Sequence, residues 1–275
     1  MTSLLLGIIY LAFISLGLPD ALLGSAWPLI YQETGVPMSW SGILFMTISV
    51  GTVLSSLMSD RLVRRFGAGG VTAVSVAMTA CALFGFSISR SFWTLWLFAV
   101  PYGLGAGSVD AALNNFVALH FASRHMSWLH CMWGIGTTVG PTVMSTALTA
   151  GQGWHSGYRR IALLQVFLTL ILCISLPLWK RQNGGPHTDS GGVRISFRQI
   201  LILPGAGFAM LCFFCYCALE QTVNLWASSY LVACENLDPV RAAGFASLFF
   251  IGITAGRGLS GFITCCLNDR QRILL

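Results

Sequence analysis

Asp110 is the residue from which the chemistry starts. It lies deep inside the apolar run 92–120, in the stretch Pro101-Tyr-Gly-Leu-Gly-Ala-Gly-Ser-Val-Asp110-Ala-Ala-Leu-Asn-Asn115. That run is long enough to cross a bilayer, which takes roughly 20 helical residues. A carboxylate at such depth is costly unless it is protonated, paired or facing water, so an intramembrane acid marks a functional position by default. Helical spacing places Gly103, Gly107, Asp110 and Asn114 on one face. The glycines admit a neighbouring backbone, and Asp110 with Asn114 makes a polar spot beside them. A bond from Asp110 to an adjacent helix is the plainer reading, and the rest of the chain bears on the choice.

Two more acids sit in apolar segments. Asp20 is followed by Trp27-Pro-Leu-Ile-Tyr31, and Glu220 by Trp226-Ala-Ser-Ser-Tyr230. Asn114, Asn115, Gln165, Gln221 and Asn224 add donors and acceptors within the same runs, although for each of them helix–helix bonding is an alternative. Arg257 falls inside the last apolar run and is expected to pair with an acid such as Glu220 or to bind a backbone carbonyl; an anion-binding role is the third option. His120 and His130 lie near one end of their runs and read as structural, with a proton relay through His130 as the alternative.

The elements that position these residues follow from composition. Hydrophobic residues make up 55% of the 275 and charged residues 9%, against about 25% charged in a soluble domain. The chain therefore reads as an all-α polytopic membrane protein. The net charge of +6 does not indicate nucleic acid, because the basic residues sit between apolar runs. Cys212, Cys215 and Cys217 read as a buried helix face without companion histidines, so packing is expected and no metal site. The first run lacks a basic leader and a small-residue cleavage pattern, and is expected to be retained as a span.

Eight spans are expected, at about 3–30, 40–59, 70–88, 92–120, 128–150, 160–179, 202–232 and 242–267. With the amino terminus in the cytoplasm, one side holds Arg61, Arg64, Arg65, Arg124, Lys180, Arg181, Arg194, Arg198, Arg270 and Arg272, and the other holds Arg90, Arg159, Arg160 and Arg241. That bias sets the orientation. The polar stretch 181–199 contains Asn183-Gly-Gly-Pro-His-Thr-Asp-Ser-Gly-Gly192, which is loop chemistry; it separates 1–180, with six spans, from 200–275, with two. The acid-then-Trp-x-x-x-Tyr pattern of the first span recurs in the seventh, and Asp60-Arg61 after the second span recurs as Asp269-Arg270 after the eighth. Parallel repeats joined by an intracellular linker are a known transporter architecture.

The loop Ser56-Leu-Met-Ser-Asp60-Arg61-Leu-Val-Arg64-Arg65-Phe-Gly67 resembles the Gly-x-x-x-Asp-Arg-x-Gly-Arg-Arg signature of the major facilitator superfamily, with serine and Val63 in place of its glycines. The resemblance implies that Asp60, Arg61, Arg64 and Arg65 form a cytoplasmic gate motif that holds helix ends together in the outward-open state. The Asp110 stretch, Trp128-Leu-His130-Cys-Met-Trp-Gly-Ile-Gly136-Thr-Thr-Val-Gly140-Pro141 and the Glu220–Tyr230 stretch are similar to the fourth, fifth and seventh helices of the fucose-permease-like branch, and Asp20 matches an acid on its first helix. By that resemblance the fold is a complete six-helix amino-terminal bundle plus the first two helices of the carboxy-terminal bundle, truncated after the eighth helix.

The implied function is proton-coupled uptake of a sugar or similar small polar solute by alternating access at the plasma membrane. Burial favours the neutral form of a carboxyl group, so Asp20 or Asp110 is expected to exchange a proton. Trp27 and Trp226 are expected to stack on a sugar face. No cofactor beyond the proton gradient, no catalytic residue and no enzymatic activity are expected; the partners are the solute, protons and the lipid bilayer. Two alternatives stand. Gly136-Thr-Thr-Val-Gly140-Pro141 partly matches the fifth-helix signature of drug–proton antiporters, with Met144 where a glycine is expected, and a non-transporting membrane fragment is the other. Gly258-Leu-Ser260-Gly261 mimics an intramembrane-protease serine motif, but every histidine precedes it and such an enzyme needs one on a later helix.

Overall fold

The computed structural model describes residues 2–182, 199 and 202–263. Most of the expected linker, and Asp269, Arg270 and Arg272, lie outside the described residues. The described residues are all-helical: α1 (Thr2–Asp20), α2 (Leu22–Thr34), a short 3-10 turn at Met38–Trp40, α3 (Ser41–Ile88), α4 (Phe92–His120), α5 (Ser123–Thr149), α6 (Gly153–Gln182), α7 (Ala206–Ala233) and α8 (Pro239–Ile263). Six stretches among the described residues are long and apolar enough to cross a membrane. One of them, Met38–Ile88, has 51 residues, far more than the roughly 20 of a single crossing.

The expected second and third spans are the two arms of α3. Gly67 breaks the helix with φ 75 and ψ 156, a conformation that only glycine adopts without strain. The contacts with α4 show that the chain reverses there. Thr52 Oγ1 donates to the Gly103 carbonyl (3.2 Å) and Ser56 Oγ to that of Gly107 (3.0 Å), so the first arm runs with α4. A Cβ at Gly85 would strike Phe98, and one at Gly105 would reach the Ser75 carbonyl, so the second arm runs against it. With α3 folded back, the six stretches make seven apolar passes among the described residues, and α5 is a further long helix packed on α1.

The first expected span is broken, which the sequence reading did not anticipate. Pro19 has no N–H, so the carbonyl four residues earlier, on Ser15, loses its helical partner. Gln165 Nε2 from α6 donates to that carbonyl, and Ser15 Oγ donates to Gln165 Oε1. An unsatisfied backbone group inside a bilayer costs several kcal/mol, and the amide removes that cost. Gln165 is thus a buried helix–helix bond and not a solute contact. The helix resumes at Leu22, leaving Asp20 at the junction.

Small residues set the helix spacing. Cβ atoms at Gly17, Gly136 and Gly140 would overlap the carbonyls of Trp133, Ile14 and Leu18, pressing α1 onto α5. Gly24 meets the Asn224 carbonyl, bringing α7 against α2, and Gly134 meets Thr254 of α8. At one end Trp154 Nε1 donates to Glu33 Oε2 (2.6 Å) and ties α6 to α2. At the other, Trp179 of α6 packs on Gly69. Arg61, Arg64, Arg65 and Arg124 gather at the Gly67 end, and Arg90, Arg159, Arg160 and Arg241 at the opposite end.

Candidate functional site: a charged cavity at mid-depth

The helices enclose a cavity of about 620 Å³ whose polar wall carries Asp20, Asp110, Glu220, Gln221, Asn224 and Arg257. Each arrives from a different local cause. Asp20 stands at the α1–α2 break. Its Oδ1 accepts from Tyr102 Oη (3.0 Å) and its Oδ2 from Trp133 Nε1 (2.8 Å), while its carbonyl accepts from Asn224 Nδ2 (3.3 Å). Asp110 continues the row Tyr102–Ala106–Asp110, which lines the cavity at i, i+4 spacing on α4. Gly103 and Gly107, one position round the helix, press against the first arm of α3, where any Cβ would overlap the carbonyls of Ile48 and Thr52. Asn114 Nδ2 donates to Asp110 Oδ1 (2.9 Å) and to its carbonyl (3.0 Å). Asn114 therefore holds the acid and does not itself line the cavity.

The opposite wall comes from α7 and α8. Glu220 is 5% exposed and takes the guanidinium of Arg257 at 3.2 Å, the pairing expected from sequence. The same Arg257 nitrogen donates to Tyr216 Oη (2.7 Å), and the guanidinium carbon lies 4.6 Å from the centre of the Trp133 ring. Arg257 thus neutralises one of three carboxyl groups. Asp20 and Asp110 have no cationic partner among the described residues and are held by neutral donors.

Several expected positions lie elsewhere. Trp27 is fully buried in the packed core, its Nε1 donating to the Met38 carbonyl (2.7 Å). Trp226 packs against the same core. Neither lines the cavity, so neither is placed to stack on a solute there. Asn115 is exposed on the outside of α4. His130, read as structural, lines the cavity, whereas His120 bonds the Phe116 carbonyl (2.9 Å) of its own helix. Met144 is buried against Gly157, filling the place of the antiporter signature's glycine.

Tyr102 and Trp133 are the functional candidates that sequence reasoning missed. Both stand in stretches singled out for other residues. The usable signal was their type: a buried tyrosine or tryptophan normally finds a partner for its O–H or N–H.

The charged loop makes local contacts. Arg64 pairs with Asp60 at 2.5 Å across one helical turn, with both side chains more than half exposed, and Arg65 lies over Phe66 at 5.3 Å. Arg61 is exposed. Among the described residues these charges bind one another within α3 and no second helix. At the same end, Tyr10 Oη bonds His125 Nδ1 (2.9 Å); partial burial, then the neighbouring Arg124, pushes the His125 imidazole below the ordinary histidine range.

The comparisons agree with this architecture. The Major Facilitator Superfamily profile matches residues 9–275. The chain is 22% identical to "Bypass of stop codon protein 6" of Saccharomyces cerevisiae, over 92% of this chain and 55% of that one. It is 20% identical to the glucose/mannose transporter GlcP of Bacillus subtilis, over 96% and 67%. It is 28% identical to the 4-hydroxybenzoate transporter PcaK of Pseudomonas putida, over 58% and 37%. The chain spans about half the length of the curated relatives it matches. With the profile covering nearly all of its residues, the chain belongs to the Major Facilitator Superfamily.

Proposed function

We propose that the protein takes part in secondary active transport, as a proton-coupled carrier of a small polar solute, with a sugar as the favoured class. The observation that carries this reading is the charge count at the cavity: three carboxyl groups against one guanidinium, with Asp20 and Asp110 lacking a cation. Protonation is the remaining route to neutrality for acids in a low-dielectric site. A proton taken up there removes a buried charge and lets the loaded carrier reorient. Gln221 and Asn224 supply hydroxyl-matching groups on the same wall, and one similar protein is named for glucose and mannose. The resemblance to the fucose-permease-like branch supports the same choice.

In this reading residues 1–180 form the first bundle and 200–275 the start of a second, joined by 181–199. The arginine-rich Gly67 end faces the cytoplasm of a plasma-membrane protein, and Asp60, Arg61, Arg64 and Arg65 serve as its gate, released in the conformation described above. Uptake of radiolabelled fucose, glucose and mannose into proteoliposomes under an imposed pH gradient tests the proposal. Gradient-driven accumulation of one of them is expected, with Asp110→Asn abolishing the gradient dependence; accumulation in D110N equal to the parent sinks the proton role. The aromatic wall of Phe45, Phe86 and Phe213 favours a second reading, exchange of a lipophilic cation for protons. Export of such a cation with no sugar uptake would select it.

A further inference from the structure

We propose that Trp133 couples the charge state of Asp20 to the Arg257–Glu220 pair, as a positioning residue between the two walls of the cavity. This rests on the proton-binding role given to Asp20 above. The indole edge donates to Asp20 Oδ2 at 2.8 Å, and its face lies 4.6 Å from the Arg257 guanidinium carbon. One ring therefore touches the uncompensated acid of α1 and the cation of α8.

The chemistry makes the contact directional. An indole N–H is a donor only, and its bond to an ionised carboxylate is roughly twice as strong as one to a neutral oxygen. A proton on Oδ2 would set two donors against each other. A proton on Oδ1 would face the Tyr102 hydroxyl, which can rotate and accept, and would leave Trp133 on a weaker, neutral acceptor. Protonating Asp20 loosens the indole in either case.

The backbone cannot take up the change. The Trp133 carbonyl is packed on Gly17 of α1, and Gly134 on Thr254 of α8, with no room for a Cβ at either glycine. The response falls on the side chain. Arg257 is free to follow, because its bonds to Tyr216 and Glu220 all leave from one terminal nitrogen and it is not locked in a two-nitrogen fork. A guanidinium over a tryptophan face is attracted to the ring, so movement of the ring redistributes Arg257 between Trp133 and Glu220.

Other titratable or charged groups face this space: Tyr102 and Asp110 from α4, His130 from α5, Tyr158 from α6, and Cys217 and Glu220 from α7; Tyr216 of α7 bonds Arg257 directly. Asp110 and His130 must therefore be separated from Asp20 in the test.

The test is a pH titration of the full chain in lipid nanodiscs with tryptophan and arginine labelled with nitrogen-15. The Trp133 indole resonance is assigned by its loss in Trp133→Phe. The Trp133 indole and the Arg257 Nε–H resonances are expected to move with one midpoint, both to stop moving in D20N, and both to keep moving in D110N and H130Q. In W133F the Arg257 resonance is expected to lose its shift. If W133F does not fold, benzothienylalanine at position 133 keeps the ring shape without the N–H and is expected to give the same loss. An Arg257 resonance that still moves with the same midpoint without the indole N–H overturns the coupling, as does one that is static while Trp133 titrates; in both cases proton binding at Asp20 survives. A Trp133 resonance that never titrates overturns both.

Discussion

Asp20 and Glu220 occupy matching places in the two copies of the acid-then-Trp pattern, and Gly24, on the helix that resumes after Asp20, packs on Asn224 of the Glu220 helix. They are nevertheless held in opposite ways. Glu220 is buried with a guanidinium at 3.2 Å, so its charge is matched inside the protein. Asp20 is held by a phenol and an indole, which stabilise a carboxylate without cancelling it. The same residue class in the same motif is paired with a cation on one wall and held by neutral donors on the other.

Removing the partners exposes the difference. Arg257→Met leaves Glu220 buried and unpaired, which costs about 3–5 kcal/mol; a lower thermal unfolding midpoint in detergent is expected, largely restored in the E220M/R257M double variant. An R257M protein as stable as the parent would break the distinction. Tyr102→Phe tests the other wall. Losing a hydrogen bond to a charged group costs about 1.5–3 kcal/mol, against about 1 kcal/mol for a neutral one. The Y102F penalty should therefore shrink as the pH falls and Asp20 takes a proton. A Y102F penalty that does not change with pH would remove the contrast. Asn115→Ala, on the exposed side of α4, should change stability by less than about 0.5 kcal/mol and leave solute accumulation unaltered.

Periodicity and composition made most of the helices legible. The run 92–120 is α4 to the residue, and the Arg257–Glu220 pair could be read because a cation inside a span needs an anion. The break at Asp20 could not. Pro19 is visible, but whether a proline merely kinks a membrane helix or interrupts it depends on what takes the freed carbonyl, here Gln165 from 150 residues away. Trp27 was legible as an aromatic near an acid, but the core that buries it is assembled from residues distant in sequence. Tyr102 and Trp133 stayed hidden because aromatic residues in apolar runs usually only pack, and the acid that gives them a role comes from a third helix.

The central claim is that an acid without a cation at the cavity, Asp20 or Asp110, changes its protonation. Infrared difference spectroscopy of the reconstituted protein across a pH titration reads it directly, through the carbonyl stretch of protonated carboxyl groups. A titrating band that is lost in D20N or D110N is the predicted result; a band that persists in the D20N/D110N double variant would contradict it.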